Sequence, residues 1–150
     1  MKKTPFVFAA ATLLLALPLC AARKTIMPPE FKPAAGAAAP MFSPAVLVDG
    51  TLYISGQIGR NPQTQQIPGE FEAEVKAALD NVGIILKAAG MTFADVVSVQ
   101  VYLTDMDLFS RMNAVYSTYL KEPRPARTTV GVTKLAAPQA HIEITVTARK

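Results

Sequence analysis

Arg124-Pro125-Ala126-Arg127-Thr128-Thr129-Val130 reads as a strand entered through prolines, and the topology turns on where that strand goes. Proline fixes φ and donates no backbone hydrogen bond, so Pro123 and Pro125 suit the mouth of a strand and not its middle. Just inside that mouth, Arg127 and Thr129 are spaced by two and share a polar face, while Val130 and Val132 share the other. A second strand follows over 142–146, with Glu143 pointing away from Ile142 and Ile144. If the two strands pair, a guanidinium and a carboxylate lie near each other at the end of a sheet. A guanidinium so placed is a planar fork suited to a carboxylate ligand. The bland alternative is a cross-strand ion pair, which stabilises weakly. Spacing alone leaves both open.

Upstream of the prolines the pattern turns helical. Leu108, Phe109, Met112, Val115, Tyr116, Tyr119 and Leu120 form a stripe that predicts a helix over 108–120, capped by Asp105 or Asp107. Before it, Val97, Val99, Val101 and Leu103 alternate with Ser98, Gln100 and Tyr102, which predicts a strand with one buried face. Earlier still, Phe71, Val75, Ala78, Leu79, Val82, Ile85, Leu86 and Ala89 recur at three and four, predicting a helix over 70–89. Glu70, Glu72 and Glu74 load its first turn with negative charge, and Gly90 ends it. A polar loop over 56–69 precedes that helix. A hairpin over 45–55 turns on Asp49-Gly50. The proline- and alanine-rich stretch 23–40 has no period and reads as an extended arm or linker.

The first 22 residues read differently. Met1-Lys2-Lys3 is basic, 6–19 are apolar except Thr12, and Cys20-Ala21-Ala22 offers small residues before Arg23. This is the pattern of a secretory signal peptide, and the apolar run falls short of the roughly 20 residues of a membrane-spanning helix. The expected mature chain begins at Arg23 and is periplasmic or secreted, with no stable membrane contact. The alternatives are an uncleaved anchor and a lipoprotein acylated on Cys20, which Leu19 disfavours. Cleavage also removes the only cysteine and leaves a net charge of 15 − 2 − 11 = +2. So small a charge, with no basic run, argues against nucleic acid as a partner. With His141 the only histidine, no multi-ligand metal site of histidine and cysteine can be assembled. No phosphate-cradling or dinucleotide glycine motif is present.

The elements order as β-β-α-β-α-β-β, an α+β class with a mixed sheet and both helices on one face. The other face should then be bare sheet with apolar side chains, which calls for a partner, most simply further copies of the chain.

Several segments, in this order, resemble the RidA family, the reactive intermediate deaminases also called YjgF or, in older naming, endoribonuclease L-PSP. They are Phe42-Ser43-Pro44-Ala45-Val46, Ser55-Gly56-Gln57-Ile58-Gly59, Leu79-Asp80-Asn81-Val82, Asn113-Ala114-Val115-Tyr116, Pro125-Ala126-Arg127 and Ile142-Glu143-Ile144. The likeness spans 41–148, so 41–150 is identified as a RidA-like domain. It implies a chorismate-mutase-like fold, a homotrimer and active sites in clefts between subunits. It implies that Arg127 grips the carboxylate of a 2-imino or 2-enamino acid and that Glu143 holds the water. Backbone groups at Ser55 and Gly56 and the Asn113 side chain would line the pocket. The implied reaction is hydrolysis to a 2-keto acid and ammonia, with no cofactor. Phe42 stands where many relatives have tyrosine, and Thr129 where some have cysteine. The loop between Leu135 and Ile142 is one residue longer than usual. Export is the largest departure from the family. A trimer that only binds a small carboxylate is the alternative reading. A ribonuclease, as the older name suggests, has less support.

Overall fold

The computed structural model describes residues 22–38 and 40–150. Six strands form one sheet: β1 (Lys24–Ile26), β2 (Ala45–Val48), β3 (Thr51–Ile58), β4 (Val96–Leu103), β5 (Ala126–Gly131) and β6 (Ile142–Arg149). Helix α1 (Phe71–Ala88) follows β3, and α2 (Phe109–Tyr119) connects β4 to β5. The order across the sheet is β1-β2-β3-β6-β4-β5, and only β4 and β5 run parallel. The fold is the expected α+β arrangement. The expected signal peptide and Cys20 lie outside the described residues, apart from Ala22.

Most elements form for the local reasons given. At the hairpin turn Asp49 and Gly50 both have positive φ, 48° and 73°, as a two-residue turn between right-twisted strands requires. Gly90, at φ 71°, closes α1. Asp105 accepts from the Asp107 N–H at 2.9 Å and starts the 3-10 turn that leads into α2.

Four features differ from expectation. First, the stretch read as arm or linker supplies β1, which pairs antiparallel with β2 and buries Ile26. Three residues are too few to show a period. Second, β5 and β6 are not neighbours, because β4 lies between them. The α2 crossover lays β5 parallel to β4, and β6 returns antiparallel on β4's other edge, joining it to β3. Third, β3 does not stop at Ser55 but runs on to Ile58 through an irregularity between Ile54 and Gln57. Gly56 marks a bulge inside a strand, not the strand's end.

Fourth, the open face is less apolar than expected. Register puts Ser98, Gln100 and Tyr102 of β4 beside Thr147, Thr145 and Glu143 of β6 on that face. Tyr53, Val97 and Val130 are its large exposed apolar members. Hydroxyls and amides need no apolar cover, so the case for a partner must rest elsewhere.

The core lies between the opposite face and the helices. Leu52 and Ile54, Val99, Val101 and Leu103, and Ile142, Ile144 and Val146 pack against the α1 stripe and Met112 of α2. Each large side chain buried there contributes roughly 1.5–3 kcal/mol. Three polar residues are buried on this side of the sheet: Glu74 and Asn81 on α1, and Gln57 of β3, in register with Ile144.

Candidate active site

Arg127 and Glu143 do not meet within the chain. Arg127 is in register with Val99, which faces the helices, and Glu143 with Tyr102, which faces the open side. In-register neighbours project to the same side of a sheet, so the two residues lie on opposite faces with β4 between. The cross-strand ion pair is thereby excluded.

Each residue lines its own hollow. The first has a volume of about 440 Å³ and is bounded by Asn113, Tyr116, Ser117, Arg124, Pro125 and Arg127. The Arg127 guanidinium is exposed but fixed. Its Nη1 donates to Asn113 Oδ1 at 2.8 Å, and its carbon lies 4.6 Å above the Tyr116 ring and 5.7 Å from that of Phe109. Asn113 and Tyr116 stand three apart on α2, so one helix face supplies both. A cation over aromatic faces is held without neutralising its charge. Tyr116 Oη in this hollow, and Thr129 Oγ1 two residues along β5 from Arg127 on the same face, are buried without a hydrogen-bond partner among the described residues. Burial pushes the Tyr116 phenol above its ordinary pKa, while the Arg127 charge pulls the other way.

The second hollow, about 590 Å³, is lined by Phe42, Gly56, Gln57, Arg60 and Glu143, with Phe31 from the N-terminal stretch. Glu143 lies over the bulge of β3. A Cβ added to Gly56 would sit 1.7 Å from Glu143 Oε1. Only glycine leaves room for the carboxylate in that place. Phe42, 66% exposed, forms the outer wall. Ser55 lines an adjoining hollow instead. Its Oγ donates to Ser43 O at 2.7 Å and its N–H to Pro44 O at 3.0 Å, so it fastens the segment that carries Phe42. Thus Arg127, Asn113 and Thr129 fall in one half, and Phe42, Gly56 and Glu143 in the other.

Two α1 residues to which the sequence assigned no part in the site hold the second half in shape. Glu74 is fully buried, and its Oε1 accepts from the His141 N–H at 2.7 Å and the Ile142 N–H at 3.3 Å. Its Oε2 lies 2.8 Å from His141 Nδ1. The start of β6, and so Glu143, is tied to α1. Asn81 Nδ2 donates to Ile58 O at 3.1 Å and Arg60 O at 2.8 Å, tying the end of β3 to the same helix. An acid in the first turn of a helix reads as a dipole partner, which concealed the Glu74 contact. Among the described residues, no group of three or more histidine, cysteine, aspartate or glutamate side chains gathers where it could hold a metal ion.

With the site laid out, likeness to known proteins becomes informative. The family model described as "Endoribonuclease L-PSP" matches residues 32–150. The chain belongs to the RidA/YjgF family. A human relative, named 2-iminobutanoate/2-iminopropanoate deaminase, is 48% identical to this RidA-family chain over 103 residues, covering 68% of it and 74% of the relative. RidA from the Antarctic bacterium Psychrobacter sp. superposes with a TM-score of 0.76 at 35% identity, over 85% of this chain and all of the other. Escherichia coli TdcF, solved with bound serine, superposes with a TM-score of 0.74 at 31% identity, over 85% of this chain and 99% of the other.

Proposed function

We propose that this chain hydrolyses 2-imino and 2-enamino acids to 2-keto acids and ammonia, in sites assembled where the Arg127 hollow of one copy meets the Glu143 hollow of the next. The observation that carries this reading is the split site: a cation held by Asn113 and a carboxylate lying over Gly56, each without an ion-pair partner among the described residues, on opposite faces of one sheet. A chain that cannot join them internally can join them head to tail. A head-to-tail contact that closes generates a ring, and a homotrimer is the ring we infer. The deaminase names of relatives and the serine held by TdcF support a small amino-acid-like ligand.

The chemistry follows from the parts. Arg127 receives the substrate carboxylate as a two-pronged donor and orients C2. Tyr116 Oη and Thr129 Oγ1 supply unsatisfied hydroxyls nearby. From the other copy, Glu143 accepts a proton from a water as its oxygen bonds to C2, and the imine nitrogen takes up a proton. The carbinolamine then collapses: the hydroxyl loses its proton and the amino nitrogen gains one, with Glu143 as the relay, as the C–N bond breaks, ammonia leaves and the C=O bond of the keto acid forms. An enamine first takes a proton at C3. Imines hydrolyse unaided, so positioning and one general base suffice.

The test traps the imine. An amino-acid oxidase generates 2-iminopropanoate in the cuvette, and semicarbazide competes for it. The protein should lower semicarbazone yield, and Arg127→Ala should reduce that effect by about 10²-fold or more. Equal activity in wild type and Arg127→Ala contradicts the reading. A wild type that binds keto acids but never lowers the yield is a binding protein instead.

Export through residues 1–22 belongs to the same proposal. Mass spectrometry of the mature protein should find Arg23 at its start; a chain still beginning at Met1 refutes it.

A further inference from the structure

The Glu143 hollow contains a second cation that the chemistry above does not use. Arg60 lies just past β3, and its backbone is clamped. Asn81 donates to the carbonyls of Ile58 and Arg60, at 3.1 and 2.8 Å. Between them Gly59 abuts α1 so closely that a Cβ there would meet the Glu74 carbonyl oxygen at 2.3 Å. The half-buried Arg60 side chain lines the same cavity as Gly56 and Glu143. Its Nε is buried with no hydrogen-bond partner among the described residues, and it makes no ion pair there, with Glu143 included.

A buried N–H of a charged group is costly to leave unpaired. The guanidinium lines the cavity, and its other N–H groups are the donors that can reach a carboxylate there. A rigid backbone, a cavity wall and an unspent donor together describe a socket for an anion. Gln65 and Gln139 line the same cavity, the Gln65 amide donating to Pro62 O at 2.7 Å. At about 590 Å³ the cavity has room for a substrate longer than three carbons.

We propose that Arg60 binds a second carboxylate at the far end of the substrate, so that the site favours dicarboxylic 2-imino acids. The proposal rests on the deaminase reading for its substrate class. Arg127 of one copy would take the carboxylate beside C2, and Arg60 and Glu143 of the other would face the remote carboxylate and the attacking water. The remote group takes no part in bond making. Water adds to the carbon–nitrogen double bond, ammonia leaves and a dicarboxylic keto acid remains.

Oxaloacetate and pyruvate, the keto acids from the four-carbon dicarboxylic and three-carbon monocarboxylic imines, serve as probes. Calorimetry on the full assembled protein should show oxaloacetate bound at least about 10-fold more tightly than pyruvate. Arg60→Met should bring the two within about twofold, and Arg60→Lys should retain part of the difference. Equal binding by wild type, or a ratio unchanged in Arg60→Met, overturns the proposal. The imine-trapping assay run alongside separates the two ideas. Turnover of 2-iminopropanoate with no preference for a dicarboxylic acid sinks the Arg60 socket and spares the deaminase. A preference for oxaloacetate with no turnover of either imine does the reverse.

Discussion

In the Arg127 hollow, charge is positioned by side chains: Asn113 accepts from the guanidinium and the buried Tyr116 lies beneath it, both presented by α2. In the Glu143 hollow, charge is positioned through the backbone. The carboxylate lies over a bulge glycine where an added Cβ would meet it, and both strand ends beside it are tied to α1 by the buried Glu74 and Asn81. The first hollow holds a cation that a ligand can reach and pull upon. The second fixes where a carboxylate stands, which is what a base that must meet one water molecule requires. The buried Glu74 and Asn81 both stand on the Glu143 side.

The sharpest way to break that contrast is to fill the glycine. Gly56→Ala puts a methyl where Glu143 Oε1 lies, yet Gly56 lacks the positive φ that would strain an alanine backbone. Turnover should fall about 10- to 100-fold while the melting temperature stays within a few degrees. A variant with wild-type turnover would mean that the carboxylate's seat does not matter.

Next in size is the tie to α1. Glu74→Ala removes the acceptor shared by the His141 and Ile142 N–H groups. It should cost about 2–4 kcal/mol, and Glu74→Gln, which keeps an acceptor oxygen, should recover most of that. Denaturant unfolding measures both. If alanine and glutamine cost the same, the backbone contacts carry no stability.

The smallest effect lies away from both hollows, where α1 meets α2. Arg111 donates to both Glu72 oxygens at 2.7 Å and holds that carboxylate down to about 2 from an ordinary 4.5. A carboxylate whose pKa falls on folding adds stability above its ordinary value and loses it as pH falls toward the folded one. Both groups are well exposed, so water and salt screen the pair. Arg111→Ala should therefore lower the melting temperature by no more than about 2 °C at pH 7, and the gap should close between pH 4.5 and 2. A gap that widens on acidification would contradict a carboxylate pKa lowered by folding.

The same contrast explains what could be read in the residues. Helices α1 and α2 and the hairpin announce themselves through period and turn chemistry, since those signals are local. In the Arg127 half, the residues themselves singled out Arg127 beside its prolines, while a pocket role for Asn113 came from the family resemblance and Tyr116 read as part of an apolar stripe. The other half depends on relations between distant segments. That β4 separates β5 from β6 follows from a crossover and a return strand, and no stretch of sequence states it. Glu74 looked like a dipole partner, Arg60 like a solvated loop residue, and β1 was three residues in a proline-rich run. Each gained its meaning from what packs against it. The bare-face argument reached for a partner on the wrong ground, because period two separates Thr145 and Thr147 from the core residues without showing how polar the open face is.

Mixing two inactive variants tests the split site most directly. Arg127→Ala and Glu143→Gln chains, unfolded together and refolded at equal amounts, should recover about a quarter of wild-type imine hydrolysis, since a quarter of the sites in random rings draw both intact halves from different copies. Mixtures no more active than either variant alone would contradict the account, for they would mean that every site lies within one chain.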